Sequence, residues 1–152
     1  MWRLIMRSFF YFALFAFGFC SSAIAGSKED AFQVVEKWSK AFTEADVDTL
    51  VGLYSPDAVF LGTGTKNIIS QPDGVRKYFE GTLLGNRKFI ASQLDSSTMA
   101  LNDTTVIVTA LDKLIATVDG KSQAFFGRVT FVLAKRGSEW KIVSFHRSAM
   151  PP

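Results

Sequence analysis

The sequence predicts an α+β fold in which three N-terminal helices pack on one face of a curved antiparallel sheet. Three observations predict it. Apolar residues recur at helical spacing in the first half, the chain after Arg87 has β character throughout, and turn signals divide that second half into four strands. Helices followed by a run of strands form the class in which the helices cover one face of the sheet.

The first helix is read over Ser27 to Ala45, with Phe32, Val35, Trp38, Phe42 and Ala45 on its apolar face and Lys28, Glu29, Glu36, Lys37, Lys40 and Glu44 on the others. Ser27 with Asp30 makes a weak capping box. A short second helix, capped by Asp46 or Asp48, carries Val47, Leu50, Val51, Leu53 and Tyr54 and ends at Ser55-Pro56-Asp57. Ala58 to Leu61 is a short strand, and Gly62-Thr63-Gly64-Thr65 with Lys66-Asn67 is a loop. Pro72 suits the first turn of a third helix, whose face is Val75, Tyr78, Phe79 and Leu83 and which stops near Gly85-Asn86. Four strands of about 10 to 15 residues follow, divided at Asn102-Asp103, Asp119-Gly120 and Arg136-Gly137-Ser138. Asp119-Gly120 is the strongest of these signals, because a two-residue hairpin turn needs φ > 0 at both positions.

Residues 1–25 read as a cleavable secretory signal. Arg3 and Arg7 supply the positive start, Ser8 to Phe19 is an apolar run, and Ala23-Ile24-Ala25 places small residues before a cut ahead of Gly26. A retained membrane anchor is the competing reading, but about a dozen strongly apolar residues fall short of the roughly 20 that a spanning helix needs. A lipid-attachment box would require a small residue where Phe19 precedes Cys20. The mature domain is therefore expected to be residues 26–152, periplasmic or secreted, and free of the membrane after cleavage.

Removing the signal changes the composition. The chain of 152 residues carries a formal charge of +3, and the signal holds two of its arginines, no acidic residue and its single cysteine. The mature domain is then nearly neutral, which argues against nucleic acid as a partner. Without a thiol it has no disulfide, thiolate nucleophile or cysteine-metal site. With His146 as its one histidine, no metal site is expected either. Gly62-Thr63-Gly64-Thr65-Lys66 lacks the spacing and the ending of a phosphate loop, and there is no dinucleotide fingerprint, so no cofactor is expected.

Three segments carry a family resemblance: Leu53-Tyr54-Ser55-Pro56-Asp57-Ala58-Val59-Phe60, Pro72-Asp73-Gly74-Val75-Arg76-Lys77-Tyr78-Phe79, and Trp140-Lys141-Ile142-Val143. Together with the element order they resemble the nuclear transport factor 2-like (NTF2-like) superfamily. The branch that looks most similar contains bacterial proteins akin to the association domain of calcium/calmodulin-dependent protein kinase II, overlapping the SnoaL-like and SgcJ/EcaC-type groups. The most specific pieces are Arg128-Val129-Thr130-Phe131-Val132 and Phe145-His146-Arg147-Ser148-Ala149-Met150-Pro151. In the second, Phe145 stands where the branch has the first of two histidines, and Arg147 where it has the first of two serines. The resemblance implies a cone, a strongly curved sheet wrapped around three helices with a pocket at its wide end. Members include ketosteroid isomerase, polyketide cyclases and dehydratases, but also oligomerisation modules with no chemistry, so fold alone does not choose among them.

Candidate residues follow from this frame. If Lys135 faces Glu139 in the last hairpin, Arg128 faces His146 and Thr130 faces Ser144. A two-residue Gly137-Ser138 turn would instead pair Arg128 with Arg147 and turn the partners to the opposite face. The first register is preferred, because it gathers Trp140, Ile142, Val132 and Ala134 on one apolar face. An Arg128–His146 pair at a pocket mouth would bind an anionic oxygen and shuttle a proton. It would serve equally as a satisfied polar pair or a subunit contact. Tyr54 and Asp57 are a candidate hydroxyl donor and base, although Ser55-Pro56-Asp57 is also an ordinary turn. Trp38, Phe42, Phe60, Tyr78 and Phe79 are read as pocket lining or core, and Asp112 and Lys113 as a solvent-facing or interface surface or as one buried ion pair. The expected function is binding of a small apolar or anionic ligand, self-association as a homodimer or larger homo-oligomer, or both. Isomerase, cyclase or dehydratase chemistry is the alternative.

Overall fold

The computed structural model describes residues 18–151, with side chains from Gly26 onward. Helix α1 (Gly18–Glu44) begins within the segment read as a signal, whose residues 1–17 lie outside the described residues. No helix among the described residues is long and apolar enough to cross a membrane.

The apolar stripe of α1 is Ala31, Val34, Val35, Trp38, Ala41 and Phe42, all buried and spaced at three and four residues. The helix stops at Ala45, whose φ of 55° places it in the left-handed region. The Ala45 N–H returns to the Phe42 carbonyl and the Asp46 N–H to that of Ala41, which satisfies the last turn in the Schellman manner. Asp46 then opens α2 (Val47–Gly52), accepting from the Thr49 N–H at 3.0 Å. The Thr49 side chain and backbone hold its carboxyl below the usual range. The strand β1 (Tyr54–Leu61) is longer than the sequence suggested, and α3 (Pro72–Leu83) starts on its proline.

The long strands are β2 (Arg87–Asn102), β3 (Thr105–Val118), β4 (Lys121–Arg136) and β5 (Glu139–Ala149). They form the expected antiparallel meander, and β1 joins β5 in parallel to give the order β1-β5-β4-β3-β2. Asp119 and Gly120 have φ of 49° and 75°, as the two-residue hairpin requires. The sheet curves around α1, which packs on β2 through β5. Between them lies an aromatic core. Trp38 stacks on Phe42 at 5.0 Å and on Phe145 at 5.4 Å, and Phe145 stacks on Phe60 at 4.9 Å. Each fully buried phenylalanine contributes about 1.5–3 kcal/mol of transfer free energy.

The register of the last hairpin decides which side chains face this core. Arg136 pairs with Glu139 around a two-residue Gly137-Ser138 turn, and Leu133 pairs with Ile142. Then Val132 pairs with Ser144, leaving Val143 as an extra residue in β5. This β-bulge breaks the alternation. Trp140 and Ile142 face inward before it, Phe145 and Arg147 after it, and His146 is turned out. The alternative register with the two-residue turn holds from Arg136 to Leu133, and the bulge then shifts it, so neither expected partner of Arg128 is the observed one. Arg128 faces Ser148, and His146 faces Thr130.

Candidate functional site

On the inner face of the sheet, between α1, α3 and the C-terminal residues, is a cavity of about 490 Å³. That volume falls in the range of small-molecule sites. Trp38 and Phe42 of α1, Phe79 of α3, Phe89 and Leu114 of the sheet and Phe145 of β5 give it an apolar wall. Met150 closes one side, its N–H donating to the Phe126 carbonyl at 3.0 Å. The polar atoms come from Thr63, Tyr78, Thr82 and Arg147.

Arg147 is the charged side chain of the cavity, and three features of the fold place it there. The β5 bulge turns it inward. Asp112 of β3, one inward step beyond Leu114, accepts from it twice, from Nε to Oδ2 and from Nη2 to Oδ1, both at 2.7 Å. Gly127 of β4, directly opposite Asp112, lets the guanidinium cross the strand that separates them. A Cβ at Gly127 would lie 2.5 Å from both Arg147 Cζ and Asp112 Oδ1. No side chain but hydrogen fits under the ion pair.

Both charges are buried, and the bidentate geometry is the arrangement that offsets their desolvation. Nη1 donates to Thr63 Oγ1 at 2.9 Å, and the Thr63 hydroxyl donates to the Arg147 carbonyl at 3.1 Å. The loop Gly62-Thr63-Gly64-Thr65 is thus tied to β5, and it is folded on itself by the Thr65 N–H and hydroxyl to the Gly62 carbonyl. Gly62 has a steric reason as well, since a Cβ there would sit 2.6 Å from the Tyr78 hydroxyl. Burial pushes the Tyr78 phenol up, partly offset by the Gly64 backbone N–H and the Arg147 charge. It therefore faces the cavity as a neutral donor and acceptor.

The structure separates the residues that the sequence grouped. Trp38, Phe42 and Phe79 line the cavity. Phe60 does not; it is fully buried behind Phe145. Tyr54 is buried too, accepting from Trp38 Nε1 at 2.9 Å, with its phenol raised well above the ordinary value by burial. Asp57 lies exposed on β1, where the Ser55 hydroxyl and then Arg136 hold its carboxyl low. It is a surface carboxylate on a strand, where the sequence suggested a turn, and it is remote from the cavity wall. Arg128 and His146 are exposed and Thr130 half-buried, all on the outer face of the sheet, because the bulge and the two-residue turn together give the opposite parity to the one preferred from sequence. Arg128 Nη2 reaches only the Ala149 carbonyl, at 3.5 Å. Asp112 takes the buried-pair reading, with Arg147 as the partner that the sequence had not named.

Asp112, Gly127, Thr63 and Arg147 carry no motif spacing that links them. The available signal was a charge within a strand opposite a glycine, together with Arg147 at a position where similar chains have serine. Among the described residues, no three His, Cys, Asp or Glu side chains gather as a metal site would require.

The chain's relatives share this architecture. A solved structure from Xanthomonas campestris, described as a putative calcium/calmodulin-dependent protein kinase II association domain, is 27% identical with a TM-score of 0.70, over 77% of this chain and 83% of that one. A putative scytalone dehydratase from Novosphingobium aromaticivorans aligns with a TM-score of 0.77 at 12% identity, covering 86% of this chain and 89% of its own. A ketosteroid isomerase-like protein from Erwinia carotovora atroseptica gives 0.72 at 16% identity, over 82% and 97% of the two chains. No curated protein matches the chain. The fold is NTF2-like, with enzymes and association domains among its neighbours by description. The model of the SnoaL-like domain matches residues 32–152, which span both walls of the cavity and the whole sheet, and the chain belongs to the SnoaL-like domain family.

Proposed function

We propose that this domain binds a small, largely apolar molecule in its aromatic cavity, and that it does so after export and removal of residues 1–25. The observation that carries the reading is the state of Arg147 at that cavity. Its charge is already neutralised by Asp112, two of its nitrogens are committed to that carboxylate, and Nη1 retains a hydrogen beyond the one given to Thr63. The site therefore offers fixed donors, from Arg147 Nη1 and the Tyr78 hydroxyl, to one acceptor oxygen of a ligand. A general base would be a carboxylate or imidazole aimed into the cavity. His146 and Asp57 lie elsewhere, and Asp112 has both oxygens engaged. This favours binding over the isomerase, cyclase or dehydratase alternative.

Calorimetric titration with 1-naphthol, an uncharged aromatic with one polar atom, tests the reading. Binding to the wild type, weakened about tenfold or more by filling the cavity with Leu114→Trp, is the expected result. Equal binding by both proteins would place the ligand elsewhere, and conversion of a bound compound would restore the enzymatic reading.

Self-association through the outer face of the sheet is the second reading. Exposed Ile90, Met99 and Leu111 on that face favour it, since apolar side chains left in water gain by burial against a second copy.

A further inference from the structure

We propose that the ligand is an anionic amphiphile, which keeps its charged head at a basic rim outside the cavity and inserts its apolar body toward Arg147. This rests on the cavity being a binding site, and it assigns the chemical class of what binds there.

The argument starts from strand register. On the inner face of β2, β3 and β4, side chains stand in rows set by the pairing. Asp112 faces Gly127; next come Ala91, Leu114 and Phe125; then Phe89, Ala116 and Gln123; last, at the hairpin end, Arg87, Val118 and Lys121. The two middle rows join the cavity to an open shelf, because Phe89 and Phe125 belong to both. The Asp112 and Val118 rows lie six positions apart along β3, about 20 Å at the usual rise of a strand. The apolar path thus has a neutral ion pair at one end and two cations at the other.

The two ends treat charge differently. At the inner end a carboxylate would enter a buried site where Arg147 is already paired, and Asp112 would repel it. A second buried anion without its own cation is costly. At the rim, Arg87 and Lys121 make no ion pair and are exposed to water, so an acid group there stays hydrated and still gains attraction. Asp119, in the turn beside Lys121, is the one carboxylate on the shelf, which leaves the inner side of the rim with a net positive charge. Lys88 adds to the same end from the outer face. The exposed Phe125 and Val118 would be covered by the apolar body as it passes between rim and cavity.

The test compares sodium decanoate with decan-1-ol by calorimetry, on the wild type and on Arg87→Glu and Lys121→Glu, both exposed positions. Decanoate is expected to bind more tightly than the alcohol. Each reversal should weaken it by about twofold to fivefold, the size of effect expected for solvent-exposed ion contacts, with no change for the alcohol, and added salt should narrow the difference. Equal affinities that ignore both reversals would overturn the proposal while leaving the cavity reading in place. Decanoate weakened by Tyr78→Phe and indifferent to the rim would put the head at the inner end, and also overturn it. Binding of neither probe would overturn this proposal, and only a failure of 1-naphthol as well would overturn the cavity reading.

Discussion

Asp112 and Arg147 each have a burial cost that only the other offsets, so the energetics of the site reduce to what happens when one is removed. Asp112→Ala leaves a guanidinium in a site with no second carboxylate, and a loss of about 3–5 kcal/mol is expected, read as a lower midpoint in urea unfolding. Replacing both with apolar residues, Asp112→Leu with Arg147→Met, should recover most of that loss. The pair is then a determinant of site polarity more than of stability. Gly127 supplies the sharper test. Gly127→Ala pushes a methyl into the ion pair and should cost about 1–3 kcal/mol in the wild type. In an Arg147→Ala background the contact with the guanidinium is gone and only that with Asp112 Oδ1 remains, so the cost should fall, a coupling of about 0.5–3 kcal/mol in a double-mutant cycle. Additive effects would mean that the glycine is required for another reason.

Tyr54 gives a pH-dependent prediction at the same scale. Its phenol is held neutral well above the ordinary value of about 10, because burial penalises the phenolate more than the Trp38 N–H favours it. Above pH 10 the unfolded chain loses this proton and the folded chain keeps it. Stability is therefore complete below about pH 10 and falls as pH rises toward the folded value. Tyr54→Phe should show a shallower fall in urea midpoints across that window, with a residual slope from Tyr78, whose phenol is also raised. At neutral pH the same variant should lose about 1–3 kcal/mol, since the Trp38 N–H is left buried and unpaired.

At the scale of elements, β5 shows what a sequence can and cannot carry. The three helices and four long strands were legible because periodicity reports which residues are buried, and Asp119-Gly120 because its φ angles demand those residue types. Val143 has no such mark. A bulge inserts one residue without changing composition, and in Trp140-Lys141-Ile142-Val143-Ser144-Phe145 every register buries something apolar. Apolar grouping alone favours the three-residue turn over the observed two-residue one, and the extra residue then moves every later side chain of β5 by a face. Hence helical spacing marks Trp38, Phe42 and Phe79 as pocket lining or core, while the two-residue turn sends Arg128 and Thr130 to the outer face and the bulge sends His146 there. The bulge makes a prediction of its own. Deleting Val143 leaves Ile142 opposite Leu133 and Ser144 opposite Val132, so Phe145 and Arg147 still face inward, and 1-naphthol binding should survive. Deleting His146 turns Arg147 outward and strands Asp112, and the protein should fail to fold or lose binding. If the first deletion is as damaging as the second, the bulge contributes something besides parity.

For the whole molecule, the two faces of one sheet divide the work. The inner face holds the aromatic core and the cavity; the outer face carries Leu111 between Arg128 and Asp95, with Thr109, Thr130 and His146 in the neighbouring row. A second copy related by a two-fold axis could set Leu111 on Leu111 and each Arg128 near the partner's carboxylates, the self-complementary pattern of a symmetric dimer. Leu111→Arg places a fourth polar group in the row of Asp95, Arg128 and Ser148 and a like charge beside Arg128, so light scattering should show the mass fall to that of a single chain. Because Leu111 points away from the cavity, 1-naphthol affinity should be unchanged in the same variant. An unaltered oligomer would move the interface off this face, and a joint loss of mass and binding would mean that the cavity depends on the partner for its shape.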